Sequence, residues 1–170
     1  VAGAIQQMLR DVDWGELDYL VVDLPPGTGD AQLTLSQTIP LTGAVIVMTP
    51  QDVAMNIAGK ALAMFRQLKV PILGIIENMS TFFCPQCGHE SEIFSRGGGR
   101  RAAERVGVAF LGEIPIDPEI CRLSDSGQPL LVGAPESASA GIYRKVAGAL
   151  AGRISVASLT ESPTDNVVFI

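Results

Sequence analysis

"DYLVVDLPPGTGD", residues 18–30, decides the fold class. An apolar run from Tyr19 reaches an acid at Asp23, then Leu24, two prolines, two glycines and a second acid at Asp30. Residues 19–24 read as a short strand. A continuous apolar run suits a strand covered on both faces, as in a parallel sheet. In such a sheet ligands bind beyond the carboxyl ends of the strands. A carboxylate placed there, Asp23, can hold Mg²⁺, which takes one or two carboxylates plus phosphate oxygens. Pro25 and Pro26 stiffen the turn. Gly27 and Gly29 let backbone N–H groups approach a terminal phosphate without a Cβ in the way. Asp30 then opens the next helix. The same pattern also fits a plain strand end, with Asp23 and Asp30 as turn and cap residues.

Working outward, "AVIVM" (44–48), "ILGII" (72–76) and residues 109–114 read as further strands. Helices fit between them. Residues 53–68 carry apolar side chains at 53, 57, 61, 64, 65 and 68. Their start is marked by Thr49 as N-cap, Pro50 at the first helical position and Asp52 at the positive end of the dipole. Residues 1–12, with Ile5, Met8, Leu9 and Val12 at helical spacing, and residues 98–106 and 137–150 are the other helices expected. Strand–helix alternation predicts an α/β domain with a doubly wound, mostly parallel sheet. It should occupy residues 1–152, without linker or repeat, and residues 153–170 should form a Ser/Thr-rich tail that frays, unless the closing "NVVFI" docks.

The chain has 170 residues, 47% apolar and 18% charged, with 18 glycines and 11 prolines. That is a turn-rich globular composition with room for one core. A net charge of −6 argues against a nucleic-acid surface, and Arg96, Arg100, Arg101 and Arg105 are the one candidate basic patch. They read as a solvated helix start. No apolar run approaches the ~18 residues a bilayer span needs, so no membrane partner is expected. Three cysteines, an odd number, do not make a secreted disulfide framework. Together with the lack of a leader-like opening, they point to the cytoplasm. The chain opens at Val1 rather than Met, as a piece of something longer would.

"CPQCG" places Cys84 and Cys87 at the C-x-x-C spacing, which lets two thiolates meet one metal. Closed tetrahedral zinc sites and 4Fe–4S clusters take four ligands. His89 and Cys121 could complete a site within the chain, or a two-fold axis could bring a second copy of the pair. A redox dithiol shares the spacing, but this pair does not open the helix after a first strand. Taken alone, His89 reads as a loop residue. Cys121, beside Ile120 and Leu123, reads as a buried thiol.

A P-loop enzyme needs G-x-x-x-x-G-K-S/T, and no such run occurs in the 170 residues. Even so, "DYLVVDLPPGTGDAQLTL", "GAVIVMTPQDVA", "GIIENMSTFFCPQCG", "IFSRGGG" and "FLGEIPID" occur in order. Over about residues 3–150 this resembles the Mrp/ApbC-type iron–sulfur carrier ATPases, in the deviant P-loop group with the Min and Par ATPases. "DLPPGTGD" and the cysteine segment together are specific, since the Min and Par branches lack the cysteine pair.

The resemblance implies a homodimer or close heterodimer that binds ATP with Mg²⁺ and hydrolyses it slowly. It implies a labile 4Fe–4S cluster held between subunits and passed to apo-proteins. Cys84 and Cys87 match the cluster ligands. Asp23 matches the Mg²⁺-associated aspartate, the one catalytic candidate. Gly27, Thr28, Gly29 and Asp30 match the switch loop. Asn78 matches a residue whose amide reads the adenine edge, a role its donor and acceptor suit. Pro115, Ile116 and Asp117, within "IPID", match a loop that packs on the base through its backbone. Otherwise, that loop is an ordinary approach to a helix N-cap. Two departures stand out: the phosphate loop is expected upstream of Val1, leaving this part without ATPase activity, and Ile57 stands where relatives often carry an acid. Two other readings remain open, a zinc-binding interaction module and a positioning ATPase of the Min/Par kind.

Overall fold

The computed structural model describes residues 11–24, 41–160 and 167–169, with 3, 7–9, 33–36 and 39 besides; residues 52–57, 160 and 167–169 are described through their backbone. In chain order the elements are β1 (Leu20–Val22), β2 (Gly43–Met48), α1 (Asp52–Gln67), β3 (Ile72–Phe83), β4 (Glu90–Ser91), α2 (Gly98–Val106), β5 (Phe110–Ile116), α3 (Pro118–Asp125), α4 (Leu130–Gly133), α5 (Ala138–Thr160) and β6 (Val167–Phe169). Residues 3 and 7–9 are helical, in line with the helix expected over 1–12. The chain divides into two compact units: Val1–Ile46, Ile57–Leu73 and Gly152–Ile170 form the first, Val47–Asn56 and Gly74–Ala151 the second.

In the first unit β6 lies between β1 and β2 and runs parallel to both. Leu20, Val21 and Val22 face Val167, Val168 and Phe169, and Gly43 and Ala44 face Val168 and Phe169. The closing apolar residues thus dock as a strand. The backbone of β2 is tied to the approach to β3 by Ala44 N–H donating to Pro71 O at 2.8 Å. Gly43 is needed there, because a Cβ would sit 2.5–2.9 Å from the Leu73 isobutyl carbons. Helix α1 buries Ala58, Leu62 and Phe65, one stripe at helical spacing. It begins at Asp52, so Thr49 and Pro50 precede it rather than cap it. It ends in a left-handed residue, Lys69 (φ 58), with Lys69 N–H bonded to Arg66 O and Val70 N–H to Phe65 O. That pattern satisfies the last carbonyls of the helix.

In the second unit β3 pairs in parallel with β5 and in antiparallel with β4. Strand β3 runs seven residues past the predicted end at Ile76. Its extension is polar yet partnered: Ser80 Oγ donates to Ile114 O at 3.2 Å, and Phe82 and Phe83 pair with Ser91 and Glu90. The register with β5 slips between Asn78 and Phe82, where Met79 takes a left-handed backbone (φ 58). This is a β-bulge. Helix α5 also outruns its expected span of 137–150, continuing to Thr160 through the Ser/Thr-rich part of the chain. Burial of Ile154 beyond the expected end, rather than helix propensity, supports the continuation. Leu123, Leu130 and Ala140 form a core cluster with Ile120, Ala134 and Tyr143 packed against it. The α/β class with parallel pairing is as the apolar runs require. Among the described residues, no helix is long and apolar enough to cross a membrane.

Candidate functional site

Strand β3 delivers the cysteines. Past Phe83 the chain makes a tight knuckle: Cys84 N–H donates to His89 O at 3.0 Å and Gly88 N–H to Cys84 O at 2.8 Å. Gly88 (φ 70) supplies the left-handed turn that closes it. Cys84 is half-buried and Cys87 exposed. The backbone N–H of Cys87, then that of Gln86, then the Cys87 thiol point at the Cys84 sulfur and hold its pKa below the usual thiol value. A sulfur surrounded by N–H donors is a metal-ligand environment. In the metal-free chain the pH midpoint of Cys84 alkylation should therefore lie below that of free cysteine. It should return to the ordinary range in urea, measured by mass spectrometry of the labelled peptide.

Among the described residues, no three His, Cys, Asp or Glu side chains gather into a metal-holding group. His89 is exposed in the loop. Cys121 is exposed on α3, its Sγ 3.7 Å from Asp125 Oδ2, so the expectation of a buried thiol fails. Ile120 and Leu123 do face the core, and one helical step beyond Ile120 turns Cys121 to solvent.

Asn78 faces Ile114 across β3 and β5, which brings it beside the stretch leading to Asp117. The Asn78 Oδ1 accepts from Met79 N–H at 3.0 Å. Pro115 is buried, and Ile116 and Asp117 half-buried. The Asp117 carboxylate is spoken for: Oδ1 accepts from Glu119 N–H at 2.9 Å as the N-cap of α3, and Oδ2 accepts from Ser139 Oγ at 2.5 Å. Asp117→Ala removes the cap and strips the buried Ser139 hydroxyl of its acceptor. A loss of about 2–4 kcal/mol in urea unfolding is expected, from the two effects together.

Asp23 is exposed directly after β1. It belongs to the first unit, whereas Asn78, residues 115–117 and both cysteines belong to the second. Gly27, Thr28, Gly29 and Asp30 lie outside the described residues, and so does the side chain of Ile57.

One residue went unread in the sequence. Glu77, 0% exposed, accepts from Gly97 N–H with Oε1 (2.9 Å) and from Gly99 N–H with Oε2 (2.6 Å). It caps α2, whose own N-cap, Gly97, offers no side chain. The signal was present in two halves: an acid ending the apolar run "ILGIIE", and a helix opening on three glycines with no Ser, Thr, Asp or Asn at the N-cap. The four arginines are exposed, as a solvated helix start requires, but two are paired. Arg96 bonds Glu90 and Glu113, each at 3.0 Å. Arg100 lies 3.7 Å from Glu113 and 4.5 Å from the centre of the Phe110 ring.

Residues 1–151 match the family described as "ParA: NUBPL iron-transfer P-loop NTPase". An iron-sulfur cluster carrier protein of Deinococcus radiodurans is 55% identical over 94% of this chain and 45% of its own length. The iron-sulfur cluster transfer protein NUBPL of Mus musculus is 49% identical over 91% of this chain and 48% of its own. The chain thus spans about half the length of the curated relatives it matches. A nucleotide-binding protein of Archaeoglobus fulgidus, solved with ADP, superposes at a TM-score of 0.66 with 48% identity, over 75% of this chain and 52% of its own. The cell division ATPase MinD of Pyrococcus furiosus superposes at 0.68 with 20% identity, over 89% of this chain and 59% of its own, a likeness of fold. With matching extent, identity and fold in agreement, the chain belongs to the NUBPL iron-transfer P-loop NTPase family.

Proposed function

We propose that this chain carries an iron–sulfur cluster on Cys84 and Cys87, completed by the same pair from a second copy, and hands it to apo-proteins. The observation that carries the reading is the knuckle itself. Two thiols, one half-buried and one exposed, sit in a donor-lined turn, and among the described residues no third ligand joins them. A 4Fe–4S cluster takes four thiolates, which a two-fold axis supplies from two such turns. The names of the relatives, carrier and transfer proteins, support a cluster that is cargo rather than a fixed prosthetic group.

In the same reading ATP with Mg²⁺ meets Asp23 and the loop of Gly27, Thr28, Gly29 and Asp30. Asn78 and the backbone of Pro115, Ile116 and Asp117 receive the base. The ADP held by the Archaeoglobus protein supports this half. Since no G-x-x-x-x-G-K-S/T run is among the 170 residues, they bind ATP weakly and do not hydrolyse it by themselves.

Anaerobic reconstitution with iron and sulfide tests the proposal. The expected product is a brown dimer with about two irons per chain, and Cys84→Ser or Cys87→Ser should each leave it colourless and monomeric. Transfer is read as activation of an apo-enzyme that needs the cluster. One tightly held zinc in a monomer, with no chromophore, would overturn the carrier reading in favour of a zinc-binding module.

A further inference from the structure

We infer that Glu77 is a positioning residue for the Cys84–Cys87 knuckle, acting through the Gly97–Gly99 turn and Arg96; its purpose, though not its geometry, rests on the carrier reading above.

Among the described residues no lysine or arginine ion-pairs with Glu77, although it is fully buried. A buried carboxylate without a cation is expensive and persists where N–H donors compensate it. Here the donors are two backbone N–H groups at the positive end of α2. A contact serving only to pack a helix on a strand is made at lower desolvation cost by an apolar side chain. The carboxylate instead fixes direction, because two hydrogen bonds orient the turn as well as hold it.

The approach leaves the turn nowhere to go. A Cβ on Gly99 would lie 2.9 Å from Glu77 Cβ, and one on Gly98 would lie 2.2 Å from Pro50 O. Immediately before the clamped Gly97 stands Arg96. Its carbonyl accepts from Arg101 Nη1 at 3.1 Å, which holds the residue in place. Its guanidinium donates to Glu90 Oε1 and to Glu113 Oε2, both at 3.0 Å. Glu90 is the first residue of β4, the returning arm of the knuckle, and it pairs with Phe83, the neighbour of Cys84.

The contacts therefore close a ring: Glu77 to Gly97, Arg96 to Glu90, Glu90 to Phe83, and back along β3 to Glu77. An exposed pair such as Arg96–Glu90 contributes little to stability by itself. Its effect is geometric, since it transmits the position of a buried anchor to a surface loop. Supporting contacts of this kind decide how firmly ligands hold a metal.

The test uses the full chain and two readouts. The first is backbone hydrogen exchange of residues 84–91 without metal. Glu77→Gln sets an amide NH₂ against a glycine N–H, and Arg96→Gln cuts the surface link. Each should speed exchange of 84–91 about tenfold, and the double variant should do no more than the single ones, because both open one ring. Leu123→Ala, a core lesion in the second unit away from the ring, should lower the melting temperature and leave exchange at 84–91 as in the parent.

The second readout is loss of reconstituted iron to a chelator, which should quicken about tenfold or more in both ring variants. Unchanged exchange in Arg96→Gln, or equal acceleration in Leu123→Ala, would overturn the inference. Should Glu77→Gln fail to fold, Arg96→Gln decides alone. If the parent chain takes up no cluster, the carrier reading falls while the exchange result still judges the ring.

Discussion

A chain carrying Gly98→Ala is expected to lose at least 3 kcal/mol or so of stability and to show a displaced or absent unfolding transition in urea. The added Cβ would stand 2.2 Å from Pro50 O, 2.8 Å from Pro50 C and 3.0 Å from its Cα. All three are backbone atoms, so no rotamer change relieves the clash. Nor can the helix start slide, because Glu77 holds the glycine on either side of it. Overpacking typically costs about 1–3 kcal/mol, and an immovable neighbour puts this site at or above that range. Against a total of about 5–15 kcal/mol the loss is severe. Gly59→Ala is the matching control. Nothing lies within 4 Å of its added Cβ, and the residue is inside α1. There the change should stabilise by about 0.5–1 kcal/mol through helix propensity and a less flexible unfolded chain.

The second large effect is expected from Leu123→Ala, at about 2–5 kcal/mol by urea unfolding. Leu123 is 2% exposed and sits in the cluster with Leu130 and Ala140. Its surroundings are tight enough that a Cβ on Gly133 would come within 2.6 Å of its methyl carbon. Truncation removes three carbons from that packing and leaves a space bounded by helices α3, α4 and α5. The cost exceeds simple transfer because the walls relax only partly. Leu123→Met keeps the volume and should cost less than about 1.5 kcal/mol. A loss of similar size for both variants would mean that the shape of the leucine, rather than its volume, is what the cluster reads.

The sheet was legible where a strand is made of apolar residues alone. "AVIVM" and the first half of β3 announce themselves. The second half of β3 does not, because Glu77, Ser80 and Thr81 are buried polar residues. The partners known for two of them come from distant parts of the chain: Gly97 and Gly99 for Glu77, and Ile114 for Ser80. Local pattern cannot supply a partner twenty residues away. The same holds for Arg96, whose cluster looked like surface charge until Glu90 and Glu113 stood opposite it. The turn that carries Cys84 and Cys87 was legible from spacing, since a tight turn is a local object. Cys121 was misread because apolar neighbours in sequence are not neighbours in space on a helix. Asp117 was legible in its plainer role as the helix N-cap, which the Asp-Pro step signals.

The placement of β6 bears on how the chain is made. Leu20 leaves a ribosome long before Val167, yet they are partners in a strand pair. The first unit therefore cannot finish its sheet until residues 167–169 have emerged. Until then, the sides of β1 and β2 that β6 covers are open to pairing with another nascent chain nearby. Expression at low temperature or with a holdase chaperone should raise the soluble yield, by shielding those edges through that interval.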